Sequence, residues 1–513
     1  MGVSKIDNWI SQGLMEKEFI IERLDQKIEN SYAMSEEEKA DLIGIFSSNA
    51  ILTKSNFISL LAAQSTLFRS SEGIKAGEII YASIKYLASL PFSHFSQEVD
   101  VQAEGLSTKQ LMRSLSWAMP GRYAYIIEEG PDTREHTKSD HWRRIFQSLA
   151  SAMDGGDPSN AERDLLDQIY STDSECDGDE IFHDLLDVIY STQEINDHRK
   201  GPLPRDWFRS VAKGLVAKNN IPSFHQFAIP IQRFVTFVEC LLVLQFETSE
   251  SVTDVSQFSN AAQSIATSFL EKPGDQAITW QMFEYGMKNT TPYLLDGYYR
   301  LLSQTFLGKS SPIDVLDAAT VPPGPDHVAL TLPLQSQLVT FLAGSVAFES
   351  LTRMQHYCSS NLPTSVALVN TIQEVVPDEA LLLLFGKDTS TGVPHAFGIF
   401  SPKPKFDGLG IQNNVFPDQE GYERCALFQL APVQDVYRGV VGKPGWVVDD
   451  KSITFGEGSG VVLTLRDGLT RAEVKQQVAD GDDIQKTYEP NYWRGDWVIS
   501  FDVSGIEIWS EIV

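Results

Sequence analysis

Residues 380–404 read ALLLLFGKDTSTGVPHAFGIFSPKP, and this stretch decides the fold class of the C-terminal half. ALLLLFGK and HAFGIFS are apolar runs of strand length, and Asp388, Gly392 and Pro394 between them are turn residues. The pattern continues downstream as CALFQLAPV, SGVVLTLRD and the closing DWVISFDVSGIEIWSEIV. Apolar or alternating runs separated by Gly, Asp and Pro predict an antiparallel, sandwich-like domain with a few helices over residues 325–513.

Upstream, one further helix is expected in LQSQLVTFLAGSVAF (334–348), and before it VPPGPDH (321–327) reads as a domain boundary. Cleavage there is expected to free a folded C-terminal fragment. Residues 204–320 read as helical. The signals are WFRSVAKGLVA (207–217), IQRFVTFVECLLVLQF (231–246), a pattern opening at Thr279 and Trp280, and PYLLDGYYRLLSQTF, restarted by Pro292. The longest apolar run, 234–246, carries Glu239 and is too short to span a bilayer, so a buried helix is expected.

Residues 151–203 read as an acidic linker, rich in Asp, Gly, Ser and Asn at MDGGDPSNAE (153–162). Inside it LLDQIYST (165–172) recurs as LLDVIYST (185–192), each copy enough for one or two helical turns with an apolar side. Residues 1–150 read as all-helical. Ser35-Glu36-Glu37-Glu38 is a capping-box pattern. LTKSNFISLL from Leu52 and LSTKQLMRSL from Leu106 each place a hydroxyl cap after a leucine, followed by apolar residues at helical spacing. They resemble a pair of EF-hand-like helical units that lack the D-x-D-x-D-G series of a calcium loop. The fold class expected is α+β, with an all-helical N-terminal region ahead of the antiparallel domain.

The 513 residues suffice for two to four domains, and 42% apolar with 21% charged residues is ordinary globular composition. A formal charge of −28 opposes nucleic-acid binding, which needs clustered Lys and Arg, and opposes simple adsorption to anionic lipid. It suits a basic protein partner. Cys176, Cys240, Cys358 and Cys425 form no C-x-x-C pair, and four isolated cysteines in so long a chain point to a reducing compartment. The N-terminus lacks the apolar run of a secretory signal, so a cytoplasmic location, or one on a cytosolic membrane face, is expected.

Several motifs offer chemistry and are outweighed by plainer readings. Gly456, Gly458 and Gly460 alternate like a phosphate loop, but a strand follows where such a loop needs a helix N-terminus, so a turn with positive φ is expected. Asp173, Glu175, Asp177 and Gly178 fill calcium-loop positions, but Asp184 at the twelfth is short for bidentate reach, so a solvated acidic loop is expected. His136 and His141 lie five apart, which fails the zincin spacing, and surface histidines are expected. Gly2 is a candidate for acylation, although Ile6 stands where that motif wants Ser or Thr, and one acyl chain gives at most peripheral membrane association. Cys358 near His356 suggests a thiol nucleophile, but no orienting third group is visible in the sequence. There is no G-x-S-x-G elbow and no H-E-x-x-H motif.

The C-terminal segments resemble the TLDc family. Residues 380–404, with Phe397 and Gly398, look like that family's hydrophobic strand, turn and Phe-Gly strand. CALFQL (425–430) looks like its Phe-Leu-Phe strand, and SITFGEGSGVVLTLRDGL (452–469) like its glycine-rich turn and strand. GIEIWSE (505–511) looks like its Glu-hydrophobic-Trp ending, which places that Glu at Glu507 and that Trp at Trp509. MQHYCSSNLPTSVALVNTI (354–372) stands where the family carries a His-Gly-Phe-Ser core. Upstream, LMRSLSWAMPGRYAYIIEE, WRRIFQSLA and ITWQMFEYGMKNTTPYLLDGYYRLLSQTFL are similar to the fungal restriction of telomere capping protein 5 family.

That resemblance implies a non-enzymatic regulatory protein linked to oxidative-stress resistance. It implies protein partners, among them subunits of the vacuolar proton-pumping ATPase, whose disassembly such proteins promote. It carries over no catalytic residue, no cofactor and no metal. The alternative is a redox or hydrolytic enzyme using a site in the TLDc domain. The ending is expected to form a closing strand paired in the sheet, with Trp509 packed.

Overall fold

The computed structural model describes residues 2–31, 33–46, 50–92, 105–127, 136–152, 180–193, 203–217, 227–246, 255–272, 274–308, 330–343, 345–348, 350–376, 379–402, 422–440, 445–449, 451–478 and 486–511. They form two compact units. One comprises Met1–Phe237, Gln276–Glu284 and Tyr298–Pro312; the other comprises Val238–Asp275, Tyr285–Gly297 and Ile313–Val513. Three of the five boundaries between the units fall inside helices, Ile231–Val243, Trp280–Asn289 and Asp296–Phe306.

The first unit is mainly helical. It contains α1 (Gly2–Ser11), α2 (Lys17–Asn30), α3 (Glu36–Ile45), α4 (Lys54–Gln64), α5 (Ser71–Ser89), α6 (Thr108–Ala118), α7 (Lys138–Leu149), α8 (Glu180–Ser191) and α9 (Arg209–Ala217). It also holds a small antiparallel sheet of β1 (Ser151–Ala152), β2 (Phe227–Pro230) and β3 (Ala277–Ile278).

Local chemistry sets several of its helix ends. Ser35 accepts from the Glu38 amide, and the Glu38 carboxylate accepts from the Ser35 amide at 2.8 Å, completing the capping box of α3. Thr53 caps α4 and Ser107 caps α6. Immediately before those caps, Leu52 and Leu106 exchange backbone hydrogen bonds of 2.8 and 3.0 Å as an antiparallel bridge. Both leucines are buried, so the bridge ties the two helix starts together from inside the core. Across the bundle Arg113 of α6 forks onto Asp25 of α2 at 2.9 and 2.8 Å, away from water.

Three expectations change in this unit. Within the stretch expected as linker, Glu180–Ser191 is the helix α8, with Leu185, Leu186, Val188 and Ile189 in the core. Asp184, the twelfth residue of the suggested calcium loop, is buried against the Arg143 guanidinium; residues 173–179 of that loop lie outside the described residues. His136 and His141, expected on the surface, are both buried. His136 Nε2 lies 3.3 Å from Asp187, and His141 Nε2 shares a 2.9 Å hydrogen bond with the Tyr299 hydroxyl. Polar partners inside the unit make their burial tolerable.

The second unit is built on one ten-stranded antiparallel sheet. Its strands are β4 (Leu351–Cys358), β5 (Glu379–Asp388), β6 (Pro394–Pro402), β7 (Tyr422–Ala431), β8 (Asp435–Val440), β9 (Trp446–Val448), β10 (Ile453–Phe455), β11 (Gly460–Arg466), β12 (Arg471–Gln477) and β13 (Trp497–Glu511). The order is β8-β7-β6-β5-β13-β12-β11-β10-β9, with β4 also paired to β13. β13 organises it: residues 497–502 pair with β12, 501–509 with β5, and 505–511 with β4. Leu427 and Tyr437 from one end of the order share an apolar cluster with Ile453 and Phe455 from the other. α15 (Ser365–Val375) adds Leu368 and Ile372 to that cluster. α11 (Ser259–Ser268) and α14 (Leu332–Leu342), so numbered because the three boundary helices count as α10, α12 and α13, pack on β7.

The chain is therefore α+β, with helices in its N-terminal half and an antiparallel sheet in its C-terminal half. Among the described residues no helix is long and apolar enough to cross a membrane.

Candidate functional site

Alternation along β13 sends Ile506 and Ile508 into the apolar cluster and Glu507 and Trp509 to the opposite face. That opposite face is covered too, since Glu507 and Trp509 are both buried. A buried carboxylate is costly unless it is paired and hydrogen-bonded. Glu507 is both. One oxygen accepts from Trp509 Nε1 at 3.0 Å and from the Leu330 amide at 3.3 Å; the other accepts from Arg353 Nη1 at 3.2 Å and lies 3.4 Å from His356 Nδ1.

Arg353 and His356 are three apart on β4, which ordinary alternation would place on opposite faces. The pairing of β4 with β13 shifts between Ile508 and Trp509, so that Glu507 faces His356 while Trp509 faces Arg353. This bulge brings the Arg353 guanidinium and the His356 ring to the same carboxylate. Their side chains are 19% and 26% exposed, whereas Glu507 is fully enclosed, so the cluster leads from the buried acid to the surface. Cys358, two residues beyond His356, is partly exposed. Its hydrogen bonds with Ser360 hold its thiol below the ordinary value.

The other family-like positions are spread through the sheet. Phe397 on β6 is buried and stacks on Phe501 of β13, with centroids 5.5 Å apart and planes at 8°. Gly398 faces Phe428 of β7, and a Cβ there would run into the Phe428 ring and the Leu383 side chain. Gly456, Gly458 and Gly460 have φ of +87°, +75° and +83° in the turn between β10 and β11. Gly460 needs its missing Cβ twice, because φ is positive and the Tyr488 carbonyl fills the space. The turn borders an open groove of about 360 Å³ whose walls include Thr454, Thr464, Glu473 and Lys475. Gly2 lies in α1. The structure thus brings Glu507 and Trp509 together and leaves Phe397, Gly398 and the glycine turn at separate places.

Residue patterns also missed a second buried acid. Asp435 of β8 is held by Asn491 Nδ2 at 2.7 Å and Arg494 Nε at 3.3 Å. Burial raises its pKa, and the Arg494 charge opposes the rise. Tyr285 donates to Asn491 Oδ1 at 3.1 Å and stacks on Trp493 at 4.0 Å. Asn491 and Arg494 flank the aromatic pair in EPNYWRGDW, which is the signal a reader could have used. Among the described residues no group of three or more His, Cys, Asp or Glu is placed to hold a metal ion.

No family model matches this chain, and no curated protein matches it.

Proposed function

We propose that the chain is a non-enzymatic regulatory protein of the TLDc family, similar to the fungal restriction of telomere capping protein 5. In this reading it docks on the vacuolar proton-pumping ATPase at the cytosolic face of the vacuole, promotes the pump's disassembly, and contributes to oxidative-stress resistance. The observation that carries the reading is the closing strand. Glu507 and Trp509, through which the ending resembles the family, are bonded to each other where β13 pairs with β5 on one side and β4 on the other. The apolar cluster shared by both ends of the strand order supports a β-sandwich. The Leu52–Leu106 bridge between two capped helices supports an EF-hand-like N-terminal pair. The charge of −28 suits a basic docking surface on the partner. Affinity purification of the full chain from a gently solubilised lysate tests the reading: recovery of proton-pump subunits supports it, and recovery of none counts against it.

One arrangement favours a second reading as a thiol enzyme. Glu507 stands against His356 as an orienting group, and the partly exposed Cys358 follows on the same strand. Cys358→Ser separates the two, since it abolishes a thiol activity and leaves docking on the pump intact.

A further inference from the structure

The groove of about 360 Å³ beside the glycine turn has the volume of a small-molecule site. Its floor is a row of side chains running across the strands. The register sets Val447 of β9 beside Thr454 of β10, Thr454 beside Thr464 of β11, and Thr464 beside Glu473 of β12. One step along, Val462 of β11 lies beside Lys475 of β12. The intervening Phe455, Leu463, Leu465 and Val474 alternate to the other face and fill the apolar cluster. Val462 and Thr464 are sunk to 7% and 9% exposure, whereas Val447, Glu457, Glu473 and Lys475 around them are more exposed. This face of the sheet is therefore a trough.

The trough presents hydrogen-bond donors and acceptors together. The Thr454 and Thr464 hydroxyls lie 3.3 Å apart, and each can donate or accept. Arg466 reaches Glu473 at 3.4 Å. Among the described residues Lys475 and Glu457 have no ion-pair partner, so an ammonium that only donates and a carboxylate that only accepts line the same groove unpaired. The charged residues of the lining are Arg466, Lys475, Glu457 and Glu473, two of each sign, so neither an anion nor a cation meets a favourable net field.

Two other ligand classes fit poorly. A phosphate needs successive free amides in the turn. Here the Gly456 amide donates to the Gly445 carbonyl at 3.1 Å, the Glu457 amide to Thr487 Oγ1 at 3.1 Å, and the Val461 amide to the Tyr488 carbonyl at 3.2 Å. An extended peptide would need a strand edge to join, and β10, β11 and β12 are each paired on both sides. Recognition in the trough therefore falls to side chains alone. A matching ligand carries no net charge, groups that both donate and accept, and apolar surface for Val447 and Val462. Sugar hydroxyls and the C–H faces of sugar rings supply these. We propose that the trough binds a neutral oligosaccharide. Its hydroxyls donate to Glu457 and Glu473, accept from Lys475, and exchange hydrogen bonds with Thr454 and Thr464.

Screening the full chain on an array of neutral and charged glycans, then titrating the best neutral oligosaccharide by calorimetry, tests this. Saturable binding of a neutral glycan is expected, with an affinity that added salt leaves unchanged. Lys475→Gln and Thr464→Val are each expected to weaken it roughly 10-fold, the loss of about one hydrogen bond. Lys475 is partly exposed, so its variant keeps the fold and decides the matter should Thr464→Val unfold the unit. An array blank at every neutral glycan would overturn the proposal, as would an affinity that Lys475→Gln leaves unchanged. Binding of charged glycans alone, lost as salt is raised, would overturn it equally and assign the trough to an ionic ligand.

Discussion

Trp509 donates its indole N–H to the carboxylate of Glu507, two residues earlier on the same strand, at 3.0 Å, and both side chains are buried. The bond joins a large apolar body to a buried charge, so the two contributions can be separated by substitution. Trp509→Ala removes both and is expected to cost about 3–5 kcal/mol, out of a total of about 5–15 kcal/mol for a domain. Trp509→Phe keeps much of the packing and is expected to cost about 1–3 kcal/mol for the donor lost to Glu507. Urea unfolding of the full chain checks both values. A Trp509→Ala variant as stable as the native chain would show that the strand is not anchored there.

Gly398 is where two neighbouring strands bring Phe428 and Leu383 against the backbone. Gly398→Ala is expected to destabilise by about 1–3 kcal/mol through overpacking. Adding Phe428→Leu makes room and should recover part of the loss. Thermal unfolding of the single and double variants measures the coupling, and strictly additive losses would remove the contact from the account.

His141 gives the first unit a pH dependence. Burial, with Arg144 nearby, lowers its pKa from 6.5 to about 3. Between those values the unfolded chain binds a proton that the folded chain refuses. Its contribution is therefore intact above about pH 6.5 and declines as pH falls toward 3, by roughly 1.4 kcal/mol per unit. His141→Gln is expected to flatten this slope while retaining a partner for Tyr299. Unfolding free energies from pH 7 to pH 4 check it, and parallel curves for the two proteins would exclude His141 as a source.

How far these features could be read in advance depended on sequence distance. The hairpin of residues 380–404 was legible because its runs and turn lie side by side, and the α3 capping box because Ser35 and Glu38 are one helical turn apart. The pairing of Trp509 with Glu507 was half-legible: alternation put both on one face, but their bond to each other and to Arg353 needed β4 and its bulge. α8 was half-legible: LLDVIYST offered a turn or two of helix with an apolar side, but its place in the core was masked by the acidic composition around it, since the arginine that takes Asp184 stands 41 residues away. His136 and His141 looked like surface residues because their spacing addressed only metal binding; what buries His141 beside Tyr299 is a contact 158 residues long.

A nick in the 321–327 stretch is expected not to free the C-terminal piece, against the simple reading of a proline-rich boundary. That stretch lies outside the described residues, but residues on both sides of it belong to the second unit. Ser264 of α11 and Gln337 of α14 both donate to the Leu430 carbonyl, at 2.6 and 2.9 Å. Tyr285 stacks on Trp493, and Arg494 donates to the Thr267 carbonyl at 3.1 Å. Native size exclusion of the nicked chain should show one co-eluting species that separates only in denaturant. Elution of a compact fragment of residues 328–513 by itself would contradict this.

In the proposed function the folded chain disassembles the vacuolar proton pump by docking on it. The most direct measurement mixes purified full-length chain with purified, membrane-bound, assembled pump and then separates membrane from supernatant. The prediction is dose-dependent appearance of the pump's soluble sector in the supernatant, matched by loss of proton transport. Cys358→Ser should release it equally, whereas Trp509→Ala, assayed above its own melting temperature, should not. A pump that stays fully assembled and active at saturating chain would contradict the claim.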